Sequence, residues 1–255
     1  MRLGFNPLDQ GILDPGEALG LAAELGLGLE LPFELFEAVP GLPSPEELGR
    51  RGRELGVGFT LHLPFVDLNL ASLFPRARWA ALERVREGLE FARRLGAEVA
   101  VLHTGSVPNR HPLVLAAARE RLEEALNALL PLPVPVAVEN LSTGPEDLIQ
   151  GPEELAELLE RHPQYGFCLD LSHAYIEGGA ERVRRYQEVL GDRLLHLHLN
   201  DTPGDADRHL PVGRGRVPYR ELKPSRLPAT AAFEVRGGRD ELTEAVETLQ
   251  NLWDI

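Results

Sequence analysis

The chain has 255 residues, 43% of them hydrophobic, a formal net charge of −14 and one cysteine, Cys168. That length fits one large domain, and a lone thiol excludes an intrachain disulfide and suits a reducing, cytoplasmic setting. No apolar run is long enough to span a bilayer, the N-terminal MRLGFNPLDQ lacks an apolar signal core, and the acidic balance disfavours a broad nucleic-acid footprint.

Eight apolar runs read as strands in chain order: RLGFN, LGLELPF, VGFTLHL, AEVAVLH, VPVAVEN, YGFCLDL, RLLHLHLN and TAAFEV. Helical patterns lie between most of them. The clearest are PEELGRRGRELG, ARWAALERVREGLEFARRLG, LVLAAARERLEEALNALL and GPEELAELLERH, and DELTEAVETLQNLW closes the chain. The link between the seventh and eighth strands is poor in helical pattern, with one candidate turn in VPYRELK. No linker or composition shift divides the chain. Eight alternating units predict an α/β fold, a single (β/α)8 TIM barrel over residues 1–255, with a doubly wound open sheet as the alternative.

A barrel of this kind places functional side chains at the C-terminal ends of its strands. Within the last three residues of the third to eighth runs stand His62, His103, Glu139, Asp170, His198 and Glu234, in that order. Any one of these reads most simply as a cap or a surface group. Six in succession would crowd three carboxylates into one partly desolvated mouth, which costs several kcal/mol unless cations or protons neutralise them. A metal site at the mouth resolves that conflict.

In LLHLHLND, His196 and His198 are two residues apart and face the same side of the strand. His198 lies nearer the mouth and is the ligand candidate; His196 reads as a deeper core or supporting histidine. DLSH places His173 three residues after Asp170, at the start of the following loop. Asp207 and His209, two apart in DADRHLPVG, can clamp one ion together. Asp201 and Asp205 read as loop carboxylates, with support of a ligand as the alternative for Asp201, Glu34 as unremarkable and Cys168 as packing. Asn140 in NLS matches a glycosylation acceptor, but it adjoins a proposed ligand and is set aside.

The pieces HLPF, HTGS, VENLS, FCLDLSHAYIEGG, HLNDTPGDADRHLPVGRG and FEV, in this order, resemble the xylose isomerase-like TIM-barrel superfamily. That superfamily contains endonuclease IV, of the AP endonuclease 2 family, and sugar isomerases and epimerases. The endonuclease IV pattern implies three zinc ions. His62, His103 and Glu139 would hold the first. Glu139, Asp170, His198 and Glu234 would hold the second, and His173, Asp207 and His209 the third. The chain departs from that pattern in ENLSTGPEDL, where a Gly-Gln-Gly is expected, and at Thr202-Pro203, where Ser-Lys or Ala-Lys is expected. It also lacks an obvious basic or aromatic DNA wedge after the first two strands. The epimerase pattern implies one ion on Glu139, Asp170, His198 and Glu234, with His173 near the substrate. Where such epimerases carry Arg, this chain has His209.

The resemblance implies a divalent-metal enzyme with up to three zinc or manganese ions, magnesium being possible. The first expectation is a multinuclear phosphoester hydrolase. The alternative is a sugar or sugar-phosphate isomerase or epimerase with Glu139 and Glu234 as acid/base pair. Glu139, Glu234 and His173 are the catalytic candidates. The expected partner is a small sugar or phosphoester, with nucleic acid disfavoured by charge and no membrane. Glu139→Gln is expected to relieve repulsion with Asp170 and Glu234 when no metal is bound. The sequence carries no signal for oligomeric state.

Overall fold

The computed structural model describes all residues except Thr143, and of Glu37 only the backbone. Eight parallel strands close into a barrel in sequential order. They are β1 (Arg2–Phe5), β2 (Gly28–Pro32), β3 (Phe59–His62), β4 (Ala100–Leu102), β5 (Val136–Glu139), β6 (Gly166–Asp170), β7 (Leu194–Leu199) and β8 (Thr230–Phe233). The last strand returns to the first, with Arg2 opposite Thr230 and Phe5 opposite Phe233. This closure excludes the open sheet. The helices are α1 (Pro15–Leu25), α2 (Glu34–Ala38), α3 (Pro45–Leu55), α4 (Pro75–Leu95), α5 (Pro112–Ala128), α6 (Gly151–Arg161), α7 (Leu171–Leu190) and α8 (Arg239–Trp253). Two helices follow β2, and none of the described residues between β7 and β8 forms one.

Local chemistry sets these boundaries. The carboxylate of Asp14 accepts from the Gly16 and Glu17 amides at the start of α1, and the Ser44 hydroxyl accepts from the Glu47 amide at the start of α3. Proline opens α1, α3, α4 and α5, where its missing N–H costs nothing. Gly26, Gly56 and Gly96 end α1, α3 and α4 in the left-handed conformation. Strands β2, β5 and β6 are buried along their whole length, one face inside the barrel and the other under helices. The outer layer is aliphatic, with Leu19, Leu48, Leu122 and Leu159 fully buried. At the N-terminal end of the barrel the exposed Arg2 pairs with Glu98. Gly58 makes room for it, since a Cβ there would lie 1.5 Å from the Arg2 guanidinium. The opposite end is polar, and every candidate residue gathers there.

Candidate metal centre

His62, Glu139 and Asp170 are the last residues of β3, β5 and β6; His103 and Glu234 directly follow β4 and β8; His198 is the penultimate residue of β7. His173 is not in a loop. Helix α7 starts immediately after Asp170, whose Oδ1 caps it by accepting from the His173 amide at 2.6 Å. His173 therefore sits rigidly in the first turn. Asp207 and His209 come from the helix-free link between β7 and β8. That link is tied down by Asp201, a buried carboxylate that accepts from the amides of Thr202, Gly213 and Val217. His209 has φ of 50°, in the left-handed region that few non-glycine residues adopt. Its carbonyl is fixed by the Arg236 amide at 2.8 Å.

Glu139 is the centre of the cluster. Its Oε2 lies 3.1 Å from His103 Nε2 and 3.5 Å from His62 Nε2. Its Oε1 lies 3.2 Å from His198 Nδ1 and 3.3 Å from His173 Nδ1. His62, His103 and Glu139 each bring a donor atom within 4.8 Å of the others, and so do Glu139, Asp170, His198 and Glu234. The remaining three candidates meet at Asp207 Oδ2, which is 3.4 Å from His173 Nε2 and 3.1 Å from His209 Nε2.

Four residues that support this arrangement escape a reading by strand ends. Glu30, in the middle of β2, is fully buried and lies 3.0 Å from both His196 Nε2 and His198 Nε2. Asp9 lies 3.4 Å from His209 Nδ1. Asn140 bonds both main-chain groups of Asp170, and Asn200 donates to Asp170 Oδ2 at 2.9 Å. Period-two alternation puts Glu30 on the barrel side of β2, and that was the one available signal for it. His196 is the supporting histidine expected, its Nδ1 2.8 Å from Thr230 Oγ1. Cys168 is buried in the barrel interior as expected. Glu34 is more than unremarkable: it accepts from the Phe65 and Val66 amides and so shapes the rim.

The charges are interlocked. Burial alone would raise Glu139, but the charges of His198 and His103 and the hydrogen bonds of His103 and His173 hold it well below the usual carboxylate range. Burial alone would lower His62, but its hydrogen bond with Glu139 and that carboxylate's charge raise it to about 9. Burial also opposes protonation of His209, yet Asp207 and Asp9 raise it to about 11. Burial lifts Asp170, and lifts Glu234 to about 7. Glu139 still raises Asp170 and Glu234 by its charge, the repulsion expected to be relieved in Glu139→Gln, but the imidazoles oppose it. Four imidazoles face Glu139, so attraction dominates its surroundings.

The donor set is imidazole and carboxylate, which suits zinc or manganese and gives no special affinity for soft ions. His198 Nδ1 makes no hydrogen bond despite complete burial, and Asp207 Oδ1 and His209 Nδ1 also have no hydrogen-bond partner. Buried donors and acceptors left this way are expensive unless something ligates them. By donor chemistry and by these orphaned atoms, the residues fit divalent ions. A cavity of about 490 Å3 opens over the cluster, reaching His62, His103, Glu139, His173, Asp207, His209 and Glu234. Its rim carries the half-exposed Phe65 and Val66 with Leu8, and Arg236 is its one guanidinium among the described residues.

The profile of the xylose isomerase-like TIM-barrel family matches residues 19–249, nearly the whole barrel. The chain belongs to this family. Within it, the chain is 28% identical over 269 residues to a probable endonuclease 4 of Streptomyces avermitilis, covering 93% of this chain and 86% of that one. The TTHB071 protein of Thermus thermophilus, whose crystals were soaked with ZnCl2, is 29% identical, with TM-score 0.72 and coverage of 100% and 98%. A D-tagatose 3-epimerase-like protein superposes with TM-score 0.83 at 24% identity over 100% and 97% of the two chains, a likeness of fold. The chain thus has a sequence relative named probable endonuclease 4, and shares its fold with a protein named as D-tagatose 3-epimerase-like. No helix among the described residues is long and apolar enough to cross a membrane.

Proposed function

We propose that the protein is a multinuclear metallohydrolase of phosphate esters. The observation that carries this reading is the divided carboxylate of Glu139. One oxygen faces His62 and His103, the other His198 and His173. A carboxylate placed in this way bridges two donor sets, whereas a single ion on Glu139, Asp170, His198 and Glu234 would give His62 and His103 no task. Three sets are supported by the same nine residues: His62, His103 and Glu139; Glu139, Asp170, His198 and Glu234; and His173, Asp207 and His209. Zinc or manganese ions held there would supply Lewis acidity and an ionised water at neutral pH.

The chain's own residues do the rest. Glu139 fixes the spacing of the two inner donor sets. Asp170, braced by Asn140 and Asn200, keeps a carboxylate oxygen within 4.8 Å of donor atoms of Glu139, His198 and Glu234. His173 and His209 hold Asp207 between them. Arg236 at the rim offers a cation to the phosphate oxygens, and Phe65 packs against the rings of His62 and His103. The net charge and the single guanidinium of the lining favour a small phosphoester over a long DNA backbone.

A sugar isomerase or epimerase is the second reading. It is favoured by the placement of Glu139 and Glu234 on the same nitrogen of His198, at 3.2 and 3.4 Å, where an acid/base pair could flank one sugar. One experiment separates the two: metal content of wild type and His209→Ala, with assays on a simple phosphodiester, an abasic-site oligonucleotide and a panel of ketoses. The hydrolase reading expects more than one ion per chain, loss of one ion in His209→Ala, and phosphodiester cleavage. At most one ion under saturating metal, with ketose turnover, would replace it by the second reading.

A further inference from the structure

Three histidines of the cluster each have one ring nitrogen occupied behind the mouth and one turned toward it. His62 Nδ1 lies 3.0 Å from the Leu63 carbonyl, and its Nε2 faces Glu139. His173 Nδ1 lies 3.0 Å from the Asn140 carbonyl, beside its 3.3 Å approach to Glu139, and its Nε2 faces Asp207. His198 is inverted. Its Nδ1 faces Glu139 and Glu234, while its Nε2 points down into the barrel, and the group waiting there is the carboxylate of Glu30 at 3.0 Å.

We propose that Glu30 is a positioning residue of the metal centre, accepting the Nε2–H of His198 and so committing the His198 Nδ1 lone pair to the ion shared with Glu139, Asp170 and Glu234. The proposal rests on the metal-centre reading above and adds a residue that reading does not use. A neutral imidazole has one lone pair, and the nitrogen that carries the proton cannot ligate. A carboxylate behind the ring fixes which nitrogen that is, locks the ring plane and makes the opposite nitrogen a better donor.

The surroundings of Glu30 are built for this task. The residue is fully buried in β2, where an aliphatic side chain would cost nothing to bury. Its Oε2 accepts from the Thr60 hydroxyl at 2.9 Å and lies 3.0 Å from His196 Nε2. His196 Nδ1 lies 2.8 Å from Thr230 Oγ1; with the Thr230 hydroxyl donating there, the His196 proton sits on Nε2, facing Glu30. Thr60 and His196 thus occupy Oε2, and Oε1 is left to His198. Glu30 Oε1 and both Nε2 atoms make no other polar contact that meets hydrogen-bond geometry, so the 3.0 Å approaches of His196 and His198 to Glu30 are their only compensation. The row Thr230, His196, Glu30, His198 therefore ties β8, β7 and β2 together beneath the mouth, and Thr60 joins β3 to it.

The test uses zinc affinity, read by competition with a chromophoric chelator, for wild type, Glu30→Met and Glu30→Gln. Removing the carboxylate behind a ligating histidine costs 10–100-fold in metal affinity. Glu30→Met should therefore bind zinc about 10–100-fold more weakly. Glu30→Gln keeps an oxygen that can accept the Nε2–H and should recover most of that loss. Nitrogen-15 NMR of the histidine rings in zinc-loaded wild type, with His196→Gln to separate its signals, gives a second readout that needs no Glu30 variant. It should show His198 with a proton on Nε2 and zinc on Nδ1. Zinc on Nε2 of His198, a folded Glu30→Met within threefold of wild type, or equal losses in the Met and Gln variants would each overturn the positioning role. Wild type that takes up no zinc would instead defeat the metal-centre reading itself.

Discussion

Asn140 grips Asp170 by both of its main-chain groups. Its side-chain oxygen accepts from the Asp170 amide at 2.9 Å, and its side-chain nitrogen donates to the Asp170 carbonyl at 3.0 Å. Both residues are buried, and the pair joins the exit of β5 to the point where β6 becomes α7. The Asn-Leu-Ser sequence is therefore a brace for a candidate ligand.

Asn140→Ala should lower stability by about 2–4 kcal/mol, the cost of two buried main-chain groups left without partners. The brace fixes Asp170, so the variant should also weaken zinc binding. Urea melts of metal-stripped protein and chelator competition read the two effects separately. A variant as stable as wild type would show that water or neighbouring groups replace the amide.

Glu139→Gln should abolish turnover and also lower the melting temperature of metal-stripped protein. The loss should be about 3–5 kcal/mol, as for buried ion pairs broken by removing one partner. Four imidazoles lie within 3.5 Å of this carboxylate. Calorimetry on chelator-treated protein measures it. An unchanged or higher melting temperature would mean that repulsion from Asp170 and Glu234 outweighs those four contacts.

Zinc uptake should release protons and tighten as pH rises. His62 is raised to about 9 and His209 to about 11, each above its ordinary 6.5. A raised histidine stabilises the fold fully below about pH 6.5 and loses that contribution as pH climbs through its folded value. Metal-stripped protein should thus lose stability between about pH 7 and 9, first through His62. Zinc must displace the same protons, so its stabilising effect should grow over the same window. Calorimetric titration in buffers of different ionisation enthalpy counts the protons; none released at pH 7 would contradict the charges assigned to these rings.

Gly215→Ala tests the link that carries Asp207 and His209. A Cβ at Gly215 would come within 2.2 Å of Asp201 Oδ1 and 2.5 Å of the Thr202 carbonyl. The overpacking should cost about 1–3 kcal/mol. It should also weaken the ion held by His173, Asp207 and His209 before the others, since Asp201 is the residue displaced. Metal analysis along a zinc titration would show it, and uniform weakening of all ions would argue against a local effect.

The eight strands and the outward set of candidates were legible because a barrel strand is short, apolar and two-faced, and its last residue is the first that can be polar. His62, His103, Glu139, Asp170, His198 and Glu234 stand at such ends, so their meeting followed from chain order and closure. Asp207 and His209 were marked by their spacing and by the resemblance of the surrounding loop. Other features needed the fold. His173 belongs to a helix because Asp170 caps α7 with its own side chain, and DLSH alone also fits a loop. Asp9 comes from the distant β1–α1 loop and reaches His209 only through tertiary structure. Glu30 sits inside LGLELPF, where one acid in an apolar run has no local partner to reveal its role. Its partners, Thr60, His196 and His198, lie at least 30 residues away on β3 and β7. Alternation along β2 can say that Glu30 faces the barrel axis. Only closure of the barrel places β7 opposite it and turns an isolated buried charge into the support of a histidine.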